Sequence, residues 1–228
     1  SGVYKAGLEK NTSTSTGKLT LKDDNKEAGS LTATGGASAA GIGGDWKGSG
    51  NNITIKGGTV NATGGDGGSG IGGGAEGGGG NNITIKGGTV TATGGGNRGT
   101  GGAGIGGGSV SFWGGESGSG KNITINGGTV NAAGAYGGAG IGGGVNGIGS
   151  KVTVSGAAQV TATATGSGPD WSGVGTGATI GNGGSKTPDG PVDGKEIQAD
   201  ISGLTTGYIH HIIYNPDGSL KREWWEPE

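Results

Sequence analysis

The chain has no cysteine and no methionine, one phenylalanine and five prolines in 228 residues. Without cysteine there is no disulfide framework and no thiolate metal site, a usage that suits an oxidising exterior. Collagen is excluded, because proline is scarce and glycine does not fall at every third place. Charge is scarce too: charged residues make up 14% and the net charge is −2. Such a chain offers no basic field to nucleic acid and no polybasic patch to a membrane surface. Its apolar runs fall far short of the roughly 18 residues of a spanning helix, so no membrane insertion is expected. No signal peptide is visible, and a chain starting at Ser1 reads as a piece excised from a longer protein.

What the sequence has instead is glycine, 66 residues of it, about four times an average share. Glycine costs more backbone entropy to order than any other residue, so such a chain is disordered or folds by a repeated device that needs bare backbone. Recurrent Val/Ile/Thr runs argue against disorder. Three signals repeat in fixed order. Alternating triplets begin at Leu19, Ile53, Ile83, Ile123 and Val152, at intervals of 34, 30, 40 and 29 residues. Each is followed by a run such as "TVNATGG" from Thr59 or "TVTATGG" from Thr89, and then by a piece of the type "AGIGGG", with isoleucines at 42, 71, 105, 141 and 180.

A period of this length, with three short strand-like pieces per unit and no helical pattern, predicts a β-solenoid. Strand alternation points Ile53, Ile55, Val60, Ala62 and Ile71 inward and Thr54, Thr59, Asn61 and Thr63 outward. The "KGG" and "NGG" pieces make tight corners, and Asn52, Asn82 and Asn122 occupy equivalent places suited to hydrogen bonding along the axis. The expected fold is all-β: a right-handed parallel β-helix of about five coils over residues 1–184. A C-terminal β-hairpin cap over 185–228, turning at Asn215–Gly218, completes it, with Trp224 and Trp225 placed to cover the last coil.

Catalytic and metal signatures are weak. Asp45, Asp66, Glu76, Glu116 and Asp170 do not recur at one register, as a repeated calcium roll requires. Asp45, Glu76 and Glu116 all follow "GIGG" pieces, so one side of the coil can hold them, yet nothing else in the sequence marks a polysaccharide-cleaving carboxylate pair. His210 and His211 are adjacent, so a strand sends them to opposite faces, away from any shared metal. No catalytic residue, no metal site and no cofactor are expected, with a lone calcium in one loop left open.

The aromatics avoid the repeat core. Trp46 and Trp113 fall in loops after "GIGG" pieces, and Tyr136 and Trp171 in loops between the second and third strands. Tryptophan beside carboxylates or amides is usual equipment for stacking a sugar ring and holding its hydroxyls. Asp45, Trp46, Trp113, Glu116, Tyr136 and Trp171 are therefore the candidate ligand-binding residues. The competing structural reading folds each ring down over a glycine-rich edge. A grid of outward threonines is a second candidate surface, for an ordered polymer or ice, although β propensity alone also explains it.

At "ITIKGGTVNATGG…GIGGG" the sequence resembles the glycine-rich repeats of large secreted or wall-anchored proteins of Firmicutes. These look related to a clostridial β-helix family described as carbohydrate-binding. The resemblance covers roughly Leu19 to Gly184 and leaves out the C-terminal hairpin. It marks an architecture and names no ligand. It implies an extracellular protein, secreted or attached to the cell wall, joined to other domains of a larger surface protein. The calcium sites of related β-helices do not carry over, because no matching acidic motif is present. The leading expectation is non-catalytic binding of a glycan or polysaccharide. A structural spacer or adhesin stalk is the alternative, and a polysaccharide-acting enzyme the third.

Overall fold

The computed structural model describes residues 3–10, 16–24, 29–97, 100–110, 117–166 and 173–227. Each of the three sequence signals forms its own sheet. The triplets pair in parallel, so Leu19, Ile53, Ile83, Ile123 and Val152 stand one above another. The five-residue runs do the same through Leu31, Val60, Val90, Val130 and Val160. The Ile-Gly dipeptides form the third sheet, from Leu8 through Ile42, Ile71, Ile105 and Ile141 to Ile180. The sheets have five, seven and six strands respectively. Each turn of chain contributes one strand to each, which is a parallel β-helix.

Alternation places the faces as the sequence predicts. Ile53, Ile55, Ile71, Ile83 and Ile123 have no exposed surface, and Val60 and Ala62 are buried. The interior columns differ in size: the three middle strands of the triplet sheet contribute isoleucine at both inward places, and the five-residue strands of the same coils contribute valine and alanine. A narrow lumen fills at close-packed density when large and small side chains oppose each other in this way.

Glycine has two separate jobs. At the corners, Gly58, Gly88 and Gly128 take φ between +80° and +88°, where a β-carbon is strained. In the dipeptide sheet, Gly43, Gly72, Gly106, Gly142 and Gly181 take φ between +133° and +143°, a region open to glycine alone. Here adjacent turns meet backbone to backbone. A β-carbon on Gly72 would lie 2.0 Å from the Gly106 carbonyl oxygen.

Asparagine marks the entry to the triplet strands. Asn52, Asn82 and Asn122 hold φ of +60°, +57° and +56°. Asn82 Nδ2 donates to Asn52 Oδ1, and Asn122 Nδ2 to Asn82 Oδ1, each at 3.1 Å. Asparagine tolerates the left-handed region and its amide both donates and accepts, so one residue type serves both needs. Asn82→Ala is expected to destabilise the fold by about 1–2 kcal/mol, and Asn82→Gly by less, because glycine relieves the backbone strain. Urea unfolding of the two variants checks this. Equal losses would remove the backbone part of the argument.

The winding extends past the repeats at both ends. Ala6-Gly7-Leu8 is a degenerate copy of the "AGI" piece and starts the dipeptide sheet. The glycine-rich repeats stop near Gly184, but the chain makes one more pass. Asp200 bridges Thr153 and Leu204 bridges Gly156, both in parallel, and Tyr208–Tyr214 then pairs in parallel with Gln159–Thr165. Ala199 and Ile209 supply the buried positions of this pass, and Ile201 and Leu204 pack against the core. The expected hairpin follows. Leu220–Glu226 turns back antiparallel on Tyr208–Tyr214 and becomes the edge of the sheet, bearing Lys221, Arg222 and Glu223. Charged side chains on an edge strand discourage further strand addition.

Candidate functional site

The site begins in the turn after Gly44. Asp45 lies against the first pass of the chain, where its Oδ1 accepts the Ala6 N–H at 2.7 Å and its Oδ2 the Lys5 ammonium at 2.5 Å. That hydrogen bond, and next the carboxylate charge, raises the Lys5 pKa above its ordinary value. The Trp46 N–H donates to the Tyr4 carbonyl at 3.2 Å. These contacts hold the Tyr4 and Trp46 rings together, 5.6 Å apart and tilted by 37°. Both remain exposed, Trp46 to 42% and Tyr4 to 55%.

Lys47 and Glu76 complete the group. They occupy the same turn position in successive coils, each with φ +62°. Lys47 Nζ lies 4.4 Å from the Trp46 ring centroid and 3.4 Å from Glu76 Oε2. The result is an exposed pair of aromatic rings bordered by two ammonium–carboxylate pairs. It can stack an apolar ring face and exchange hydrogen bonds with hydroxyls around it. Each carboxylate is matched with its own lysine, so Asp45 and Glu76 do not form an isolated acid–base couple.

The structure does not gather all the expected residues. Tyr136 is exposed, but it sits in the turn before Ile141, three coils from Trp46, or roughly 14 Å along the axis. It leans over Gly96, where a β-carbon would come 2.9 Å from the Tyr136 ring. Trp113, Glu116 and Trp171 lie outside the described residues. Tyr4, Lys5 and Lys47 were absent from the sequence-based set. Aligning Ala6-Gly7-Leu8 with the "AGI" pieces would have placed Tyr4 and Lys5 beside Trp46. Among the described residues, no group of three or more His, Asp or Glu side chains is positioned to hold a metal ion.

A protein-family model described as "Beta helix repeat" matches residues 27–49, 53–75, 83–109 and 123–145. The chain carries β-helix repeats. Each match takes in a glycine-rich turn of the β-helix, and Asp45, Trp46 and Lys47 fall within the first. No curated protein and no solved structure matches the chain.

A second constellation closes the C-terminal end of the β-helix. Glu196 accepts the Thr179 N–H at 2.6 Å, the Thr179 hydroxyl at 2.9 Å and the Ile180 N–H at 3.1 Å. Burial raises the Glu196 pKa, and these hydrogen bonds oppose the rise. The Thr179 Oγ1 also meets His211 Nδ1 at 2.6 Å. Because the one hydroxyl proton goes to Glu196, His211 Nδ1 carries a proton and donates. That leaves Nε2 of the neutral ring as an acceptor, buried without a hydrogen-bond partner and 3.9 Å from Glu226 Oε2. Burial first, then the charges of His210 and Arg222, push the His211 pKa down to about 4. Trp224 stacks on the His211 ring at 4.4 Å, and the Arg222 guanidinium lies 4.2 Å over the indole. Thr179 is fully buried, so the arrangement fastens the end of the β-helix and presents no nucleophile to a substrate.

Proposed function

We propose that the chain is a non-catalytic glycan-binding module of a secreted or wall-attached protein, with the Tyr4–Trp46 ring pair as its contact surface. The observation that carries this reading is an exposed, tilted ring pair held by backbone and ion-pair contacts beside Asp45, Lys47 and Glu76. Large rings held in place lose little conformational freedom on binding, which is how aromatic anchors yield affinity. The lysine partners of both carboxylates favour binding over acid–base cleavage. A second reading, a rigid spacer, is favoured by the continuous backbone contact between glycine-rich turns.

A glycan array probed with the full chain separates the two readings. Binding is expected to one class of neutral polysaccharide, and Trp46→Ala is expected to weaken it at least tenfold, about 1.4 kcal/mol. No binding at high protein concentration favours the spacer. Binding that survives both Trp46→Ala and Tyr4→Ala removes the ring pair as the site.

A further inference from the structure

Trp225 stands opposite His210 on the outward face of the last strand pair. Their rings stack with centroids 3.8 Å apart and planes within 5°. Rings on neighbouring strands stack this way only when they stand upright on the sheet with their faces along the strand-to-strand direction. The Tyr208 ring centroid lies 5.0 Å from that of the indole with the planes inclined by 61°, and Glu223 Oε1 fixes His210 Nε2 at 2.6 Å. The indole is therefore packed against His210 and Tyr208, yet Trp225 remains 46% exposed. No described ring covers its other face, which looks outward beyond the last strand. Among the described residues, no strand pairs with the outer edge of Leu220–Glu226, so its outward N–H and C=O groups lack strand partners.

We propose that the uncovered face of Trp225, the open edge of Leu220–Glu226 and the Glu223 carboxylate form a separate subsite for a neutral sugar ring. The sugar takes the next place in the ring stack, where a further strand would put a side chain. Its C–H face packs on the indole, and its hydroxyls reach the edge amides and carbonyls and the Glu223 oxygens. Charge selects the ligand class. The strand carries Lys221 and Arg222 against Glu223 and Glu226, and Lys221 is paired with Asp193 at 2.6 Å. The outward side chains of the five preceding strands, from Ser30 to Thr165, include no ionisable group. A polyanion or polycation finds no net field here, and the charged edge opposes pairing with a peptide strand. The subsite rests on the glycan reading but uses none of the residues around Trp46.

The test follows the indole N–H signals of the five tryptophans in 1H–15N spectra of the full chain. The probes are cellohexaose, xylohexaose, laminarihexaose and mannohexaose, with polygalacturonate as the charged control. At least one neutral hexaose is expected to move the signal that Trp225→Phe deletes. Trp225→Ala should weaken that hexaose about tenfold, while Trp225→Phe stays within about threefold of the parent chain. A Trp225 signal unmoved by all four hexaoses, or moved only by polygalacturonate, overturns the subsite. If shifts fall on the Trp46 signal alone, this subsite is lost and the ring-pair reading stands. If no indole signal moves, both are lost. A β-forming peptide that moves the backbone amides of 220–226 where no sugar does would reassign the edge to strand addition.

Discussion

Replacing Gly106 by alanine is expected to cost more than about 4 kcal/mol, enough to threaten folding of the whole domain. The added β-carbon would lie 2.0 Å from the Gly142 carbonyl oxygen, and the φ of +134° excludes an L side chain independently of that clash. Backbone cannot yield there, because the Gly107 N–H donates to that same Gly142 oxygen and the Ile105 N–H to the Gly140 oxygen. Gly57→Ala is the matched control. Its β-carbon would meet nothing nearer than Asp23 at 3.7 Å, and a change within about 1 kcal/mol is expected. Chemical unfolding followed by far-ultraviolet circular dichroism compares the two. Equal stability of both variants would mean that the turns do not touch through bare backbone.

Acidification is expected to loosen the C-terminal strand before the coils. His211 titrates near 6.5 when unfolded and near 4 when folded, so the folded state binds fewer protons between those values. Stability from the neutral, buried ring is complete above about pH 6.5 and is lost as pH falls towards 4. At full effect the shift is worth about 3 kcal/mol. Two groups act against the loss. Glu196 has a raised pKa, so its contribution is gained as pH falls, and Glu226, 3.9 Å from Nε2, attracts the imidazolium. His210 and Arg222 act with the loss by repelling it. Amide protection factors, which divide out the slowing of intrinsic exchange as pH falls, should therefore drop across 208–226 between pH 7 and pH 4.5 while the triplet strands 83–85 and 123–125 stay protected. His211→Gln should flatten this dependence. Uniform protection across the pH range would show that His211 does not control the latch.

The repeats were legible because a β-helix converts sequence period directly into space. Ile53, Ile83 and Ile123 recur in sequence and stand in one column, so a local pattern fixes a long-range contact without further information. The extra passes at the ends were harder to see. Leu8 and the segment 199–209 keep inward aliphatic positions but lack the Gly-Gly pairs that punctuate most of the other coils. The candidate site was legible in part. Asp45 and Trp46 stood out as polar and aromatic breaks in a glycine-rich turn. Their neighbours Tyr4 and Lys5 come from some forty residues away and meet them only because the first pass lies directly beside the second.

By itself the sequence determined the coil, its inward and outward faces, the glycine corners and the opposite orientation of His210 and His211, because strand alternation and repeat spacing are local properties. Tertiary structure alone decided which loop rings meet, which carboxylate finds which lysine, and that one tail tryptophan packs on a buried histidine while its neighbour faces solvent. Those outcomes depend on stacking between turns and on the pairing of the last strand, and neither is written in any single stretch of residues.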